Sequence, residues 1–241
     1  MHATITHNGA TMGRILLAAA LSFITLTAFG QIDEDKTGAW YMLMWTKNPA
    51  AGSTIGLQGD IQHRNWDLGG DLEQLLIRGG VTWTPQGSST KYTLGYAHIT
   101  SGAYGPSDAR SREHRIYQEA LVPQKLGEKT FLTHRFRLEQ RDVDGQDTRN
   151  RFRYFIAMNY PFNQATLGKG AVYLSLYNEL FINLEQDIGG GRKVDYFDRN
   201  RAYAALGYSL SDTSRLQFGY MHQALDNFGK GQLQFNWIQS F

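Results

Sequence analysis

A strict alternation of apolar and charged residues runs through Thr130–Tyr160 and constrains the fold more than any other feature of the sequence. It forms two runs, 130–141 and 149–160, which flank a polar segment. In the first run, Phe136 and other apolar residues alternate with Arg137 and other charged ones. Because successive side chains of a β-strand leave opposite faces, each run predicts a strand with one apolar and one charged face. Apolar outside and charged inside is typical of a membrane-spanning barrel strand.

The same period recurs along most of the chain and predicts an all-β protein, a single antiparallel transmembrane β-barrel. Each candidate strand is about nine to fourteen residues long, which suits a tilted membrane span. Because bacterial single-chain barrels have an even number of strands, we expect about twelve, with Gln31 to Gly38 contributing the twelfth. Ten strands, or an N-terminal segment threaded through the lumen, are the alternatives. The eleven candidate strands are Ala39–Thr46, Ser53–Arg64, Glu73–Thr84, Lys91–Ile99, Arg112–Val122, Thr130–Arg141, Arg149–Tyr160, Ala171–Asn183, Arg199–Leu210, Arg215–Gln223 and Gln232–Phe241.

The N-terminus has the features of a secretory signal peptide. The positive charge of Arg14 precedes an apolar run over residues 15–26, and small residues suited to cleavage follow. We therefore expect residues 1–30 to be removed and residues 31–241 to form the barrel domain, with Met12 as an alternative initiator. Cysteine is absent, so neither a disulfide nor a lipoprotein anchor on the mature N-terminus is available.

Charge and the C-terminal strand indicate the partners. Lys+Arg 24 against Asp+Glu 22 gives a formal charge of +2, which argues against nucleic-acid binding through bulk charge. The last strand alternates Leu233, Phe235 and Trp237 with polar residues and ends on Phe241, like the signal that barrel-assembly machinery reads. We expect localisation in the outer membrane of a Gram-negative cell, in contact with outer-membrane lipid and lipopolysaccharide.

Loop lengths predict the orientation of the barrel. Short turns follow Thr84, Val122 and Leu210, and longer polar segments lie at 100–111, 141–148, 184–198 and 224–231. Outer-membrane barrels keep their short turns on the periplasmic side, so the longer segments are expected outside. Aromatic residues beside the short turns, Trp83 and Tyr92 among them, suit an interfacial girdle.

Five short motifs, in order along the chain, resemble a known family. The motifs are Glu113-His114-Arg115-x-Tyr117-Gln118, Arg135-Phe136-Arg137-Leu138-Glu139-Gln140-Arg141, Arg151-Phe152-Arg153-Tyr154, Phe197-Asp198-Arg199-Asn200-Arg201 and Gly219-Tyr220-Met221. Together they resemble the bacterial outer-membrane family named only as domain of unknown function 2490, over about Gly38 to Phe241. The resemblance implies a β-barrel envelope protein with no assigned activity, and it supplies no catalytic residues.

Charged residues of inward parity are the candidates for function. One interpretation is a lumen filled by Arg–Glu pairs, since an isolated buried charge is costly. The other is a narrow pore for small anionic solutes, since rings of charge set selectivity. Glu73 follows the outward parity of its strand, so we expect it above the membrane edge. The lumen candidates are Arg115, Glu119, Arg135, Arg137, Glu139, Arg141, Arg149, Arg151, Arg153, Glu179, Arg199 and Arg201.

Enzymatic activity is not expected. An outer-membrane lipid-modifying hydrolase or acyltransferase is the alternative, because several histidines have the outward parity, but no serine lies at an obvious triad spacing beside them. The sequence has no HExxH motif, and we predict neither a metal nor a cofactor. A soluble periplasmic β-sandwich binding protein is the alternative fold. The outward histidines are His63, His98, His114, His134 and His222.

Overall fold

The structure is a computed structural model that describes residues 36–241 and contains eleven β-strands. The predicted signal peptide lies outside the described residues. No helix in the described part of the chain has the length and hydropathy needed to cross a membrane. The strands are β1 (Gly38–Lys47), β2 (Ile55–Asn65), β3 (Leu72–Trp83), β4 (Lys91–Gly102), β5 (Arg110–Leu126), β6 (Thr130–Val143), β7 (Arg149–Pro161), β8 (Val172–Asn183), β9 (Phe197–Ser209), β10 (Ser214–Ala224) and β11 (Gly229–Ser240).

The strands form one closed barrel, and each strand is antiparallel to its neighbours in the chain. The exception is the closing seam, where β1 and β11 run parallel, with Gly38 opposite Gln232 and Thr46 opposite Ser240. The barrel thus closes with eleven strands, where twelve or ten were expected. An odd number of alternating strands leaves the first and the last pointing the same way, so the closing pair must be parallel.

The connections do not alternate in length as predicted. We call the rim where β1 begins the N-terminal rim and the rim where β11 ends the C-terminal rim. At the N-terminal rim, connections 103–109, 144–148 and 225–228 are short, because the flanking strands extend beyond their predicted bounds. The longest connections, 184–196 and 162–171, lie at opposite rims. The predicted alternation of short and long connections is therefore wrong, and connection length does not support the predicted orientation.

The two faces of the barrel have the predicted difference in polarity. Outward positions carry large apolar residues, such as Leu94 and Leu206, which are 61% and 62% exposed. Inward positions carry buried charged and polar residues, such as Glu139 and Arg137. This arrangement is the inverse of a water-soluble protein, in which buried side chains are mostly apolar.

Two β-bulges turn acidic residues into the lumen against the parity of their strands. Arg64 pairs with Gln74 and Asn65 pairs with Leu72, which leaves Glu73 as the extra residue. A bulge redirects the side chain at the inserted position. Glu73 is buried and accepts a hydrogen bond of 2.9 Å from Trp40 Nε1. The outward orientation expected for Glu73 is therefore wrong, because the bulge turns its side chain into the lumen.

The second bulge lies at the start of β9. Phe181 pairs with Arg199 and Ile182 pairs with Phe197, so that Asp198 is the extra residue. Its carboxylate forms ion pairs inside the barrel, whereas the alternation of β9 gives this position an outward parity. Both bulges lie close to the N-terminal rim, and both add a negative charge to the lumen.

Two inward tyrosines lie flat across glycines of the neighbouring strands. Tyr117 is paired with Gly95, and Tyr173 is paired with Gly207. A Cβ atom at either glycine would collide with the tyrosine ring. Glycine is required here because an aromatic ring approaches the backbone directly, an arrangement that helps to fill the interior of a curved sheet.

Candidate functional site

The candidate site is the lumen, into which all of the predicted charged residues project. Ten of the twelve are buried, and Arg135 and Arg199 are half-buried. The candidates are distributed over five neighbouring strands and so form one continuous wall of the barrel. They are Arg115 and Glu119 on β5, Arg135, Arg137, Glu139 and Arg141 on β6, Arg149, Arg151 and Arg153 on β7, Glu179 on β8, and Arg199 and Arg201 on β9.

Glu139 is the centre of an ion-pair network on β5–β8. Its carboxylate lies 2.6 Å from both Arg151 Nη2 and Arg153 Nη1. Arg137 Nη1 is 3.6 Å away and Arg115 Nη1 is 3.9 Å away. Four guanidinium groups thus surround one carboxylate whose side chain is 1% exposed. Such a buried charge is tolerated only where ion pairs and hydrogen bonds compensate for lost hydration.

Two further glutamates extend the network. Glu119 accepts a hydrogen bond of 2.7 Å from Arg137 Nε. Glu179 lies 2.5 Å from Arg135 Nη2 and 2.6 Å from Arg153 Nη2. Arg153 therefore links Glu179 to the central carboxylate, and the side chains of β5–β8 form one connected set of charges.

The network reaches the N-terminal rim through two more carboxylates. Glu113 lies 2.5 Å from Arg115 and 2.5 Å from Arg141. The bulge residue Asp198 lies 2.5 Å from Arg151 Nη1. Sequence analysis assigned no lumen role to Asp198, because a bulge is invisible to the alternation that identified the others. We call the carboxylates Glu113, Glu119, Glu139 and Glu179, together with the arginines that contact them, the paired wall.

Two arginines of the lumen, Arg64 on β2 and Arg201 on β9, are held in a different way. The Cζ atoms of Arg64 and Arg201 lie 3.9 and 4.8 Å from the ring centroid of Trp40. Arg201 also lies 4.7 Å from the ring centroid of Phe181, and its closest carboxylate oxygen, on Glu179, is 4.0 Å away. We call the two arginines Arg64 and Arg201, which stack on Trp40, the stacked pair. Trp40 was missed because the first strand is apolar on both faces and gave no signal of orientation.

Amide side chains supply the hydrogen-bond partners of the stacked pair. Arg64 donates to Gln62 Oε1 and, over 2.7 Å, to Gln74 Oε1. Arg201 Nε donates over 2.8 Å to Gln223 Oε1. Among residues 36–241, Arg64 forms no ion pair. The positive charge of Arg64 is therefore not neutralised by a carboxylate in contact, and that of Arg201 faces Glu179 at 4.0 Å.

A cavity of about 460 Å³ lies between the paired wall and the stacked pair. Arginines, including both members of the stacked pair, line one part of it. Met42, Met44 and Ile238 line another part, nearer the C-terminal rim. The cavity thus combines guanidinium donors with an apolar surface.

The outward histidines form small clusters on the exterior and do not reach the lumen. The rings of His98 and His114 are 4.9 Å apart, and His114 Nδ1 lies 2.5 Å from the Tyr96 hydroxyl. His134 Nδ1 lies 2.9 Å from the Tyr154 hydroxyl. Within residues 36–241, no cluster of three or more histidine, cysteine, aspartate and glutamate residues has an arrangement that could hold a metal ion.

Fold and lumen together define a closed β-barrel with an apolar exterior and a charged interior. The family described as "Protein of unknown function (DUF2490)" matches residues 37–234, and the chain belongs to this family. The resemblance found in the five short motifs is thereby confirmed. No curated protein matches the chain.

Proposed function

We propose that the chain is an outer-membrane β-barrel whose lumen admits small anions. The observation that carries the membrane assignment is the exterior, where most outward positions of the strands are large and apolar. Water-soluble monomers rarely expose contiguous apolar surface of more than a few hundred Å². Barrels in the outer membrane expose such a band to lipid and keep polar residues inside.

Aromatic residues near the C-terminal rim support the same assignment. Trp83 and Tyr92 stack with centroids 5.6 Å apart, and Tyr160 packs against Phe162 at 6.1 Å. Tyrosine and tryptophan favour the interface between lipid and water, where the ring is in apolar surroundings and the polar atom is hydrated. Phe241, next to the last residue of β11, is suited to recognition by barrel-assembly machinery, and outer-membrane lipid and lipopolysaccharide are the proposed surroundings.

Ile77→Arg tests the membrane assignment. Ile77 is 49% exposed in the middle of β3, where arginine would face the lipid at a cost of about 2–4 kcal/mol. The matched control is Leu68→Arg, since Leu68 is 60% exposed in connection 66–71. We expect I77R to lower the folded, heat-modifiable fraction in lipid vesicles and L68R to leave it unchanged. Equal folding of both variants, with the protein recovered in the soluble fraction, would contradict the membrane assignment of this barrel.

The anion preference rests on arginines that lack a carboxylate partner. Among the described residues, Arg215 and both stacked arginines line the cavity without a carboxylate closer than 4.0 Å. In the paired wall, by contrast, each of the six arginines contacts at least one of the four carboxylates, so that its charge is compensated locally. Positive side chains lining a narrow pore favour anions.

Conductance in planar bilayers tests this function. We expect channel events with a reversal potential that indicates anion preference in a salt gradient. Arg215→Gln should shift this potential toward zero, because Arg215 lines the cavity near the C-terminal rim. The control is Arg110→Gln, since Arg110 is exposed at the start of β5 and does not line the cavity. An absence of channel events would contradict the pore.

A structural role is the second candidate, favoured by the paired wall. Its side chains occupy the β5–β8 side of the lumen and link four strands by buried ion pairs. A barrel without conductance, in which substitutions in the paired wall lower stability, would have this role. Catalysis is not proposed.

A further inference from the structure

The stacked pair brings two like charges onto one indole ring. Arg64 and Arg201 are each 6% exposed, so water screens their repulsion poorly. The face of an indole ring attracts a cation, which compensates for part of this repulsion. An anion placed between or beside the two groups would compensate for the rest.

Both guanidinium groups retain unused hydrogen-bond donors. An arginine carries five N–H groups. Arg64 donates from Nε and Nη2 to Gln62 and from Nη1 to Gln74. One N–H group therefore remains on Nη1 and one on Nη2. Only Nε of Arg201 donates to a neighbour, Gln223. These unused donors are therefore available to an acceptor that enters the cavity, which both arginines line.

The nearest carboxylates are committed elsewhere. Glu73 accepts hydrogen bonds from Trp40 Nε1 at 2.9 Å and from Gln232 Nε2 at 3.3 Å. Glu179 is held by Arg135 and Arg153 at 2.5 and 2.6 Å. Neither acid side chain forms a hydrogen bond to the stacked pair, so the unused donors remain available to a ligand in the cavity.

The cavity beside the stacked pair selects the kind of anion. Met42 and Met44 follow Trp40 on the inward face of β1, and all three line the cavity. Phe155 and Ile238 add apolar surface. A volume of about 460 Å³ is within the range of small-molecule sites. An inorganic anion would leave this apolar surface unused.

We propose that the stacked pair binds the carboxylate of a small organic acid, whose apolar part contacts Met42 and Met44. The terminal N–H groups of Arg64 match a carboxylate in a two-point arrangement, and Arg201, which contacts the same ring, donates to the same group. This site specifies the class of anion that the lumen would bind. The inference rests on the proposed function of the lumen.

Calorimetric titration of the detergent-solubilised barrel with benzoate tests the site, with benzamide and inorganic phosphate as comparison ligands. We expect benzoate to bind, benzamide to bind at least about tenfold more weakly, and phosphate to bind more weakly than benzoate. Arg64→Gln and Arg201→Gln should each weaken benzoate binding on the order of tenfold. Arg110→Gln, at an exposed arginine at the start of β5 and outside the cavity, should bind like the unaltered protein.

Arg64→Lys and Met44→Phe provide a second route if the glutamine variants fail to fold. Lysine keeps the charge but lacks the planar fork, so benzoate binding should still weaken. Phenylalanine at position 44 reduces the apolar space and should weaken benzoate more than phosphate. Equal loss of binding in R110Q, equal affinity for phosphate and benzoate, or no benzoate binding at all would overturn the site.

Calorimetry needs no ion flow, so the two proposals fail separately. Anion-preferring conductance without benzoate binding would overturn the site and leave the lumen function intact. Benzoate binding without conductance would retain the site and overturn the pore. Loss of both would remove the lumen function altogether.

Discussion

The paired wall and the stacked pair use the same residue type for different purposes. In the paired wall, Arg151 and Arg153 share the carboxylate of Glu139 at 2.6 Å, and nearly every charge has a partner. In the stacked pair, Arg64 and Arg201 contact a ring and amide oxygens. Whether a buried arginine can bind a ligand therefore depends on the group that it contacts in the protein, and not on its burial.

The energetic consequences of removing a charge differ in the same way. Removing one member of a buried ion pair leaves the other charge buried and uncompensated, which is strongly destabilising. Removing an arginine that contacts only a ring and amides leaves no orphaned charge. The largest expected effects on stability therefore fall in the paired wall, and the effects on ligand binding fall at the stacked pair.

Glu139→Gln should give the largest loss of stability. The substitution leaves Arg151 and Arg153 near a neutral amide, and about 3–5 kcal/mol of unfolding free energy should be lost. Urea unfolding in detergent or lipid measures it. Glu128→Gln in the exposed connection 127–129 is the matched control and should change the free energy by less than about 0.5 kcal/mol. A small effect of E139Q would remove the distinction between the two regions.

A double-mutant cycle on Arg153 and Glu179 should give the next largest effect. Their closest atoms are 2.6 Å apart and both side chains are buried. We expect a coupling energy of about 1–3 kcal/mol between R153M and E179Q. The same cycle on Arg201 and Glu179, at 4.0 Å, should give a smaller value. Equal coupling in the two cycles would place Arg201 in the paired wall.

Arg64→Gln should have the smallest effect on stability, about 1 kcal/mol or less, because it removes a cation–π contact and hydrogen bonds to neutral amides. Urea unfolding without added ligand provides the measurement. Addition of benzoate should stabilise the unaltered protein more than R64Q, since a ligand stabilises the state it binds. A loss of unfolding free energy as large as that of E139Q would indicate that removing Arg64 leaves a buried charge uncompensated, which would contradict this distinction.

Sequence alone predicted the strands and the faces of most residues, because the period of two follows directly from strand geometry. It could not predict the inward positions of Glu73 and Asp198, since each depends on a bulge that interrupts the period. Nor could it orient Trp40, whose strand is apolar on both faces. The division of the arginines into two groups depends on contacts between distant strands, such as β2 with β9 around the ring on β1, and alternation carries no such information.

The parallel seam makes closure of the barrel a different event from the formation of the rest of the sheet. Every other strand pair joins neighbours in the chain, whereas β1 and β11 lie at the two extremes of the described chain. The loop that closes at the seam is therefore by far the longest, and its entropic cost is the highest of any pairing. Until it closes, the sheet presents two unpaired edges that can pair with another chain. Folding is thus most vulnerable to competition at this joint, where a second molecule could take the place of the chain's own first strand.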